Sequence, residues 1–223
     1  MDAPKSPPNL AQELLRIHRV ITRGLTIVLA KGLEFQQGGF PNPNLRQGYA
    51  DYTHCLTVTL KAHHLAEDEI GFPSLKEKFP QAPFERLSAD HQQMETLLNP
   101  LMQASANITC EAGGADLTLL LDHLQRVSAI WTPHIQVEEE NFTQEAVAAV
   151  MDSQEQGRLS VALIKHNQEH SKPASLILPF LLFNLNADDR ALMAATAPSV
   201  VVKVLVPIVW KNKWARMKPF LLQ

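Results

Sequence analysis

With 223 residues, 45% of them hydrophobic and 19% charged, the chain has ordinary globular composition and enough length for one large domain, or one domain with an extension. A formal net charge of -3 offers no basic face of the kind that nucleic-acid binders carry. The two cysteines, Cys55 and Cys110, stand far apart and match no Cys-x-x-Cys spacing. That argues against a disulfide framework and a thiolate zinc site, and a reducing cytoplasm is the expected location.

The opening MDAPKSPPNL has an acid and three prolines where a signal peptide needs a basic start and an apolar run, so residues 1–9 read as a short disordered lead. From Leu10 onward helical periodicity dominates without competing alternation, which predicts an all-α fold. The turn signals FQQGGFPNPN, FPQAP, EAGGAD and MDSQEQG delimit helices over 10–34, 45–78, 84–109 and 115–148. Short connections favour antiparallel neighbours, hence an up-down-up-down four-helix bundle over 10–150. A fifth helix over 153–171 stops at Pro173 and begins a C-terminal helical extension, 151–223, expected to pack on the bundle. Its most apolar runs, SLILPFLLFNL and VVVKVLVPIVW, are broken by Pro179, Lys203 and Pro207. They fall short of the roughly 18 apolar residues of a membrane span, so a soluble protein is expected. Trp210, Trp214 and Phe220, set among Lys211, Lys213, Arg216 and Lys218, suit a tail folded over the bundle or a homodimer contact better than a membrane-surface helix.

An i, i+3, i+4, i+7 stripe marks the buried face of a bundle helix. On the second helix it runs Tyr49, Thr53, Leu56, Leu60, His63, Glu67, Ile70, which leaves His64 with Thr57, Lys61 and Asp68 on the wet side. On the third it takes in Phe84, Leu87, His91, Met94, Glu95 and Leu98, and on the fourth Leu121, Leu124, Trp131, His134, Glu138 and Phe142, with Glu139 and Glu140 turned to the flank. On the first, His18 sits among Leu14, Leu15, Leu25 and Leu29. Acids fill roughly a tenth of positions, so nine histidines should find about one acid four residues ahead by chance. Four such pairs occur: His63/Glu67, His64/Asp68, His91/Glu95 and His134/Glu138. A pair at this spacing shares one helix face and can reach a common point. Counted from helix ends, His18 and His91 lie about 7–8 residues in and Glu67 and Glu138 about 10, depths that agree within about one turn at roughly 1.5 Å per residue. Buried carboxylates are costly unless paired or metal-bound, and one metal layer accounts for all of these residues together.

The ordered set resembles the hemerythrin-like, His-His-Glu cation-binding family. The resemblance rests on a lone His18 in RIHRVITRGL, His63-x-x-x-Glu67 ahead of IGFPSL, His91 in DHQQMETLL, and His134-x-x-x-Glu138 in HIQVEEENF. It covers about 10–148 and implies a bundle enclosing two iron ions, bridged by an oxo or hydroxo group. His18, His63, His91 and His134 would be the imidazole ligands, and Glu67 and Glu138 the bridging carboxylates. Where the family's third helix often has a second histidine, this chain has Glu95, which is open between a ligand, an acceptor that orients a histidine, and a pair with a neighbour. Such a donor set also accommodates zinc or manganese. His166 and His170 read as a solvated helix end or a lid-like contact, and Pro133 as a kink that either aims His134 or is merely tolerated. The function implied is a metal-binding module that binds or senses dioxygen, peroxide, nitric oxide, or iron and redox state. A di-iron peroxidase or oxidase, an iron store and a purely structural helical protein are the alternatives, and the absence of a substrate-pocket signature favours binding over catalysis.

Overall fold

The computed structural model describes residues 9–108 and 114–222, so the proline-rich lead and Cys110 lie outside the described residues. Helix α1 (Leu10–Gly38) starts where the Asn9 side chain accepts the Gln12 amide at 3.1 Å. It stops at Gly39, whose φ of +72° only glycine adopts without strain. Asn42 caps α2 (Pro43–Ala66), and Pro43 opens it at a position that needs no amide donor.

The second helix was expected to run on to residue 78, and here the structure differs. Pro73 has no amide to give to Glu69 and its ring crowds that carbonyl, so the ladder widens into a π-turn, Glu67–Gly71, before α3 (Phe72–Leu75). The Phe72 amide accordingly donates to Glu67. Helices α4 (Phe84–Asn107) and α5 (Gly114–Asn141) follow, and α5 is helical through Pro133. The helix expected to continue to 148 restarts at Thr143, whose hydroxyl accepts from the Ala146 amide at the head of α6 (Gln144–Val150). A capping box of Asp152 and Glu155 opens α7 (Ser153–His170). The tail then forms α8 (Ala174–Phe183), α9 (Ala187–Thr196), a π-helix (Val201–Val209), α10 (Lys211–Trp214) and a 3-10 turn (Ala215–Phe220). Among the described residues there are no strands. No single described helix is long and apolar enough to cross a membrane, although α9 and the π-helix, bent by 110°, have the length and composition together.

Helix α1 packs on α2 and α5, and α4 packs on the same two, which closes a ring of four. Helix α2 also meets α7, α8 and the 3-10 turn, so it is covered on more than one side. That explains its composition: Thr53 and Thr57 are buried, and each satisfies its hydroxyl on the carbonyl four residues back, at 2.8 and 2.9 Å. The tail is fastened through Arg23, which donates to the Tyr52 hydroxyl at 3.2 Å, to the Phe220 carbonyl at 3.0 Å and to Asn184. The Leu222 backbone N–H adds a hydrogen bond to the Phe183 carbonyl at 2.8 Å.

Two apolar clusters fill the interior. The larger gathers Val20, Ile21, Leu56, Leu60, Met94, Leu98, Leu124 and Trp131, and the smaller gathers Leu10, Phe72, Phe84, Leu87 and Phe142. The chain passes from one cluster to the other along α1, from α2 into α3, along α4, and from α5 to Phe142, and the buried histidines and glutamates fall at the crossing. Gly48 shows how closely the tail approaches α2, since a Cβ there would fall on the Arg216 carbonyl. Gly48→Ala is expected to lower stability by about 1–3 kcal/mol, measured by urea unfolding. An unchanged midpoint would mean that the 3-10 turn moves aside freely.

Candidate metal centre

Four helices deliver His18, His63, Glu67, His91, His134 and Glu138 to one layer, all less than 9% exposed, with His134 and Glu138 at 0%. Glu138 lies between two helices: its Oε2 is 3.2 Å from His18 Nε2 and its Oε1 is 3.6 Å from His134 Nε2. Glu67 Oε2 stands 3.5 Å from the Nε2 of both His63 and His91. The Nε2 atoms of His91 and His134 are 3.1 Å apart. Two nitrogens bound at about 2.1 Å to one ion, at right angles, lie about 3.0 Å from each other, so these separations are close to the edges of a coordination polyhedron.

The hydrogen-bond inventory agrees with that geometry. His18 Nε2, His63 Nε2, Glu67 Oε2 and both oxygens of Glu138 are buried without a hydrogen-bond partner. Such orphans are rare in a folded interior, and here they converge on a common space. Three groups, each residue offering one ligand atom, have those atoms within 4.8 Å of one another: His18, His63, Glu67, Glu138; Glu67, His91, His134, Glu138; and His64, His91, His134. Glu67 and Glu138 belong to both four-residue groups. The residues present therefore fit a cation, and a donor set of imidazole and carboxylate suits iron, zinc or manganese.

Carboxylates outside the layer hold the rings. His18 Nδ1 bonds Glu139 at 2.8 Å, His91 Nδ1 bonds Asp68 at 3.0 Å, and His134 Nδ1 lies 3.5 Å from Asp90. Ser88 donates to the other oxygen of Asp68 at 2.7 Å. With Nδ1 of His18 and of His91 engaged outward, their Nε2 atoms are left facing the centre, which is how outer carboxylates orient metal-binding imidazoles. Trp131 packs edge-on against His18 and Phe72 stacks on His91, so the layer is walled by apolar rings.

Burial, followed by the charges of Glu138 and Asp68, pushes the Glu67 carboxyl well above the usual carboxylate range. Burial pulls His18 down, but the carboxylates of Glu138 and Glu139 beside it outweigh this and leave it raised. His63 and His64 are pushed well down, first by burial and then by neighbouring imidazoles, and burial also lowers His134. Neutral imidazole is the form that binds metal.

Sequence reasoning and structure part at two residues. Glu95 is not in the layer: its carboxylate is 43% exposed and pairs with Lys61 of α2 at 2.5 Å. The lysine across the α2–α4 seam holds it at the rim. His64, expected on the wet side, is buried and stacks on His91 with ring centroids 4.1 Å apart, because α4 covers that side of α2. The orienting acids were also missed as such. Asp68 carried a signal as the acid four residues after His64, and Asp90 precedes His91, but neither spacing shows which ring the acid holds. His166 bonds Glu69 at 2.8 Å and stacks on His170, away from the layer.

Two outcomes follow from this electrostatic arrangement. Glu67 and His18 keep protons in the metal-free chain at pH values where an ordinary carboxyl or imidazole has begun to lose them. Metal uptake must displace those protons, so affinity rises with pH, and calorimetry in buffers of different ionisation enthalpy should show net proton release. Asp68→Asn and Glu139→Gln should each weaken Co(II) binding by about 10–100-fold in direct titration while the helical circular dichroism is retained.

No curated protein and no solved structure matches this chain. The family model for the hemerythrin HHE cation binding domain matches residues 9–146, which contain every residue of the layer. The chain belongs to the hemerythrin HHE cation-binding family, and its buried histidines and glutamates form groups that could hold a metal ion.

Proposed function

We propose that the chain is a non-haem di-iron protein that binds or senses a small ligand such as dioxygen, peroxide or nitric oxide, within an up-down-up-down four-helix bundle. The observation that carries this reading is the pair of overlapping ligand groups, which share Glu67 and Glu138 and divide His18 and His63 from His91 and His134. Glu138 presents one oxygen to each side, the arrangement expected of a carboxylate that bridges two ions. When bound, two iron ions would supply redox chemistry and a coordination position open to a small molecule.

The protein's own contribution is enclosure and orientation. Trp131 and Phe72 exclude water from the imidazoles, and the outer carboxylates fix the rings before any metal arrives. A cleft of about 400 Å³, lined by His18, Arg19, Thr22, Ile135 and Glu139, reaches the layer at the His18–Glu139 hydrogen bond. Glu139 is 36% exposed and accepts the Nδ1 proton of His18, so it joins the cleft to that ring. Every other residue of the layer is buried, which supports a ligand of a few atoms over a bulky substrate.

Metal content by mass spectrometry, on protein purified without a chelating tag, tests this directly. About two irons per chain are expected, with a visible band that bleaches under dithionite and returns in air. Glu138→Ala should lose most of both irons, because one side chain serves both positions. Intact helices with no metal uptake would overturn the proposal. Peroxide turnover abolished by His91→Ala would move the protein from ligand binding to catalysis.

A further inference from the structure

Helix α2 carries two adjacent histidines that point to different neighbours. His63 faces α1, with its ring 5.3 Å from that of His18, while His64 faces α4, stacked on His91 at an interplanar angle of 15°. Adjacent helical residues diverge by about 100°, so both can enter the interior only where the helix is covered on two sides, as α2 is. His64 is 5% exposed, and its Nε2 is buried without a hydrogen-bond partner. Leaving such an acceptor unmet costs about 1–3 kcal/mol, and stacking on a neighbour does nothing to satisfy it. The ligand atoms of His64, His91 and His134 all lie within 4.8 Å of one another.

The geometry points to His64 as a further imidazole ligand, which completes the metal position on the His91/His134 side. This rests on the metal centre proposed above and adds a residue to it. The layer then holds His18 and His63 on one side and His64, His91 and His134 on the other, with Glu67 and Glu138 common to both. It also accounts for Glu95, which is free to pair with Lys61 because the imidazole that might have stood at its place on α4 is supplied from α2.

The test uses the full chain loaded anaerobically with Co(II), comparing wild type with His64→Gln and His64→Ala. Proton NMR of cobalt-bound imidazoles shows one strongly shifted, exchangeable N–H per bound ring. His64→Gln should show one fewer such signal than wild type. Its weaker-bound cobalt should be at least about 10-fold looser, the lower end of what loss of an orienting partner alone costs. Added imidazole should restore affinity in His64→Ala, and the glutamine variant provides the reading if the alanine cavity prevents folding. Unchanged signals and affinity in His64→Gln, with cobalt bound to wild type, would overturn this inference and leave the proposed centre standing. A wild-type chain that takes up neither cobalt nor iron would overturn both.

Discussion

Two fully enclosed glutamates and a ring of imidazoles, set between two apolar clusters, are the constraint on which the rest of the structure depends. Carboxylates taken out of water need compensating charge, and Lys61, Arg19 and Arg23 on the surrounding helices are committed elsewhere. The protein responds in two ways. It pushes the Glu67 carboxyl well above the usual carboxylate range, and it places outer acids on the Nδ1 side of His18 and His91 so that their Nε2 atoms face inward. A cation removes the conflict that remains, and membership of the cation-binding family is the evolutionary form of the same physical demand.

Much of this was legible in the chain itself, for a definite reason. Spacing of four residues is a property of the helix alone, so His63/Glu67 and His134/Glu138 could be placed on one face without knowing the neighbours. Alignment in depth also followed from helix length, and His18 and His91 lie in the expected layer. Which side of a helix is wet depends instead on what covers it. A single-stripe reading assumes one buried face, and α2 breaks the assumption because α4, α7 and the tail surround it. His64 was lost for that reason, and Thr57 with it. Glu95 failed in the opposite sense: four residues after His91 is near the core face, but Lys61 across the seam provides a partner at the rim. The π-turn was hidden for a third reason, since Pro73 announces a break in the ladder without saying whether the chain bends, ends or widens.

The tail bears on the centre through shared helices rather than through contact with it. Arg23 is one turn beyond His18 on α1 and fastens Asn184 and Phe220, while Arg16 and Arg19 meet Asp189. The same helix therefore carries the candidate ligand His18, lines the cleft and anchors residues more than 150 positions away. Cys55 belongs to this fabric too: buried against Met217 at 3.8 Å, its thiol is pushed far up by burial and is inert packing, not a ligand.

The candidate ligands span the chain from His18 on α1 to Glu138 on α5, and this spread has a thermodynamic meaning. A cation gripped by them is a cross-link, joining segments that in the unfolded chain would be separated by long loops. Like a disulfide, it restricts the unfolded ensemble, and more so the longer the loops it closes. Here the cross-link is reversible and tied to the occupancy of the layer. Metal supply, by setting that occupancy, would then also set how firmly the four helices are held together, and the lifetime of the folded chain would report the state of its centre.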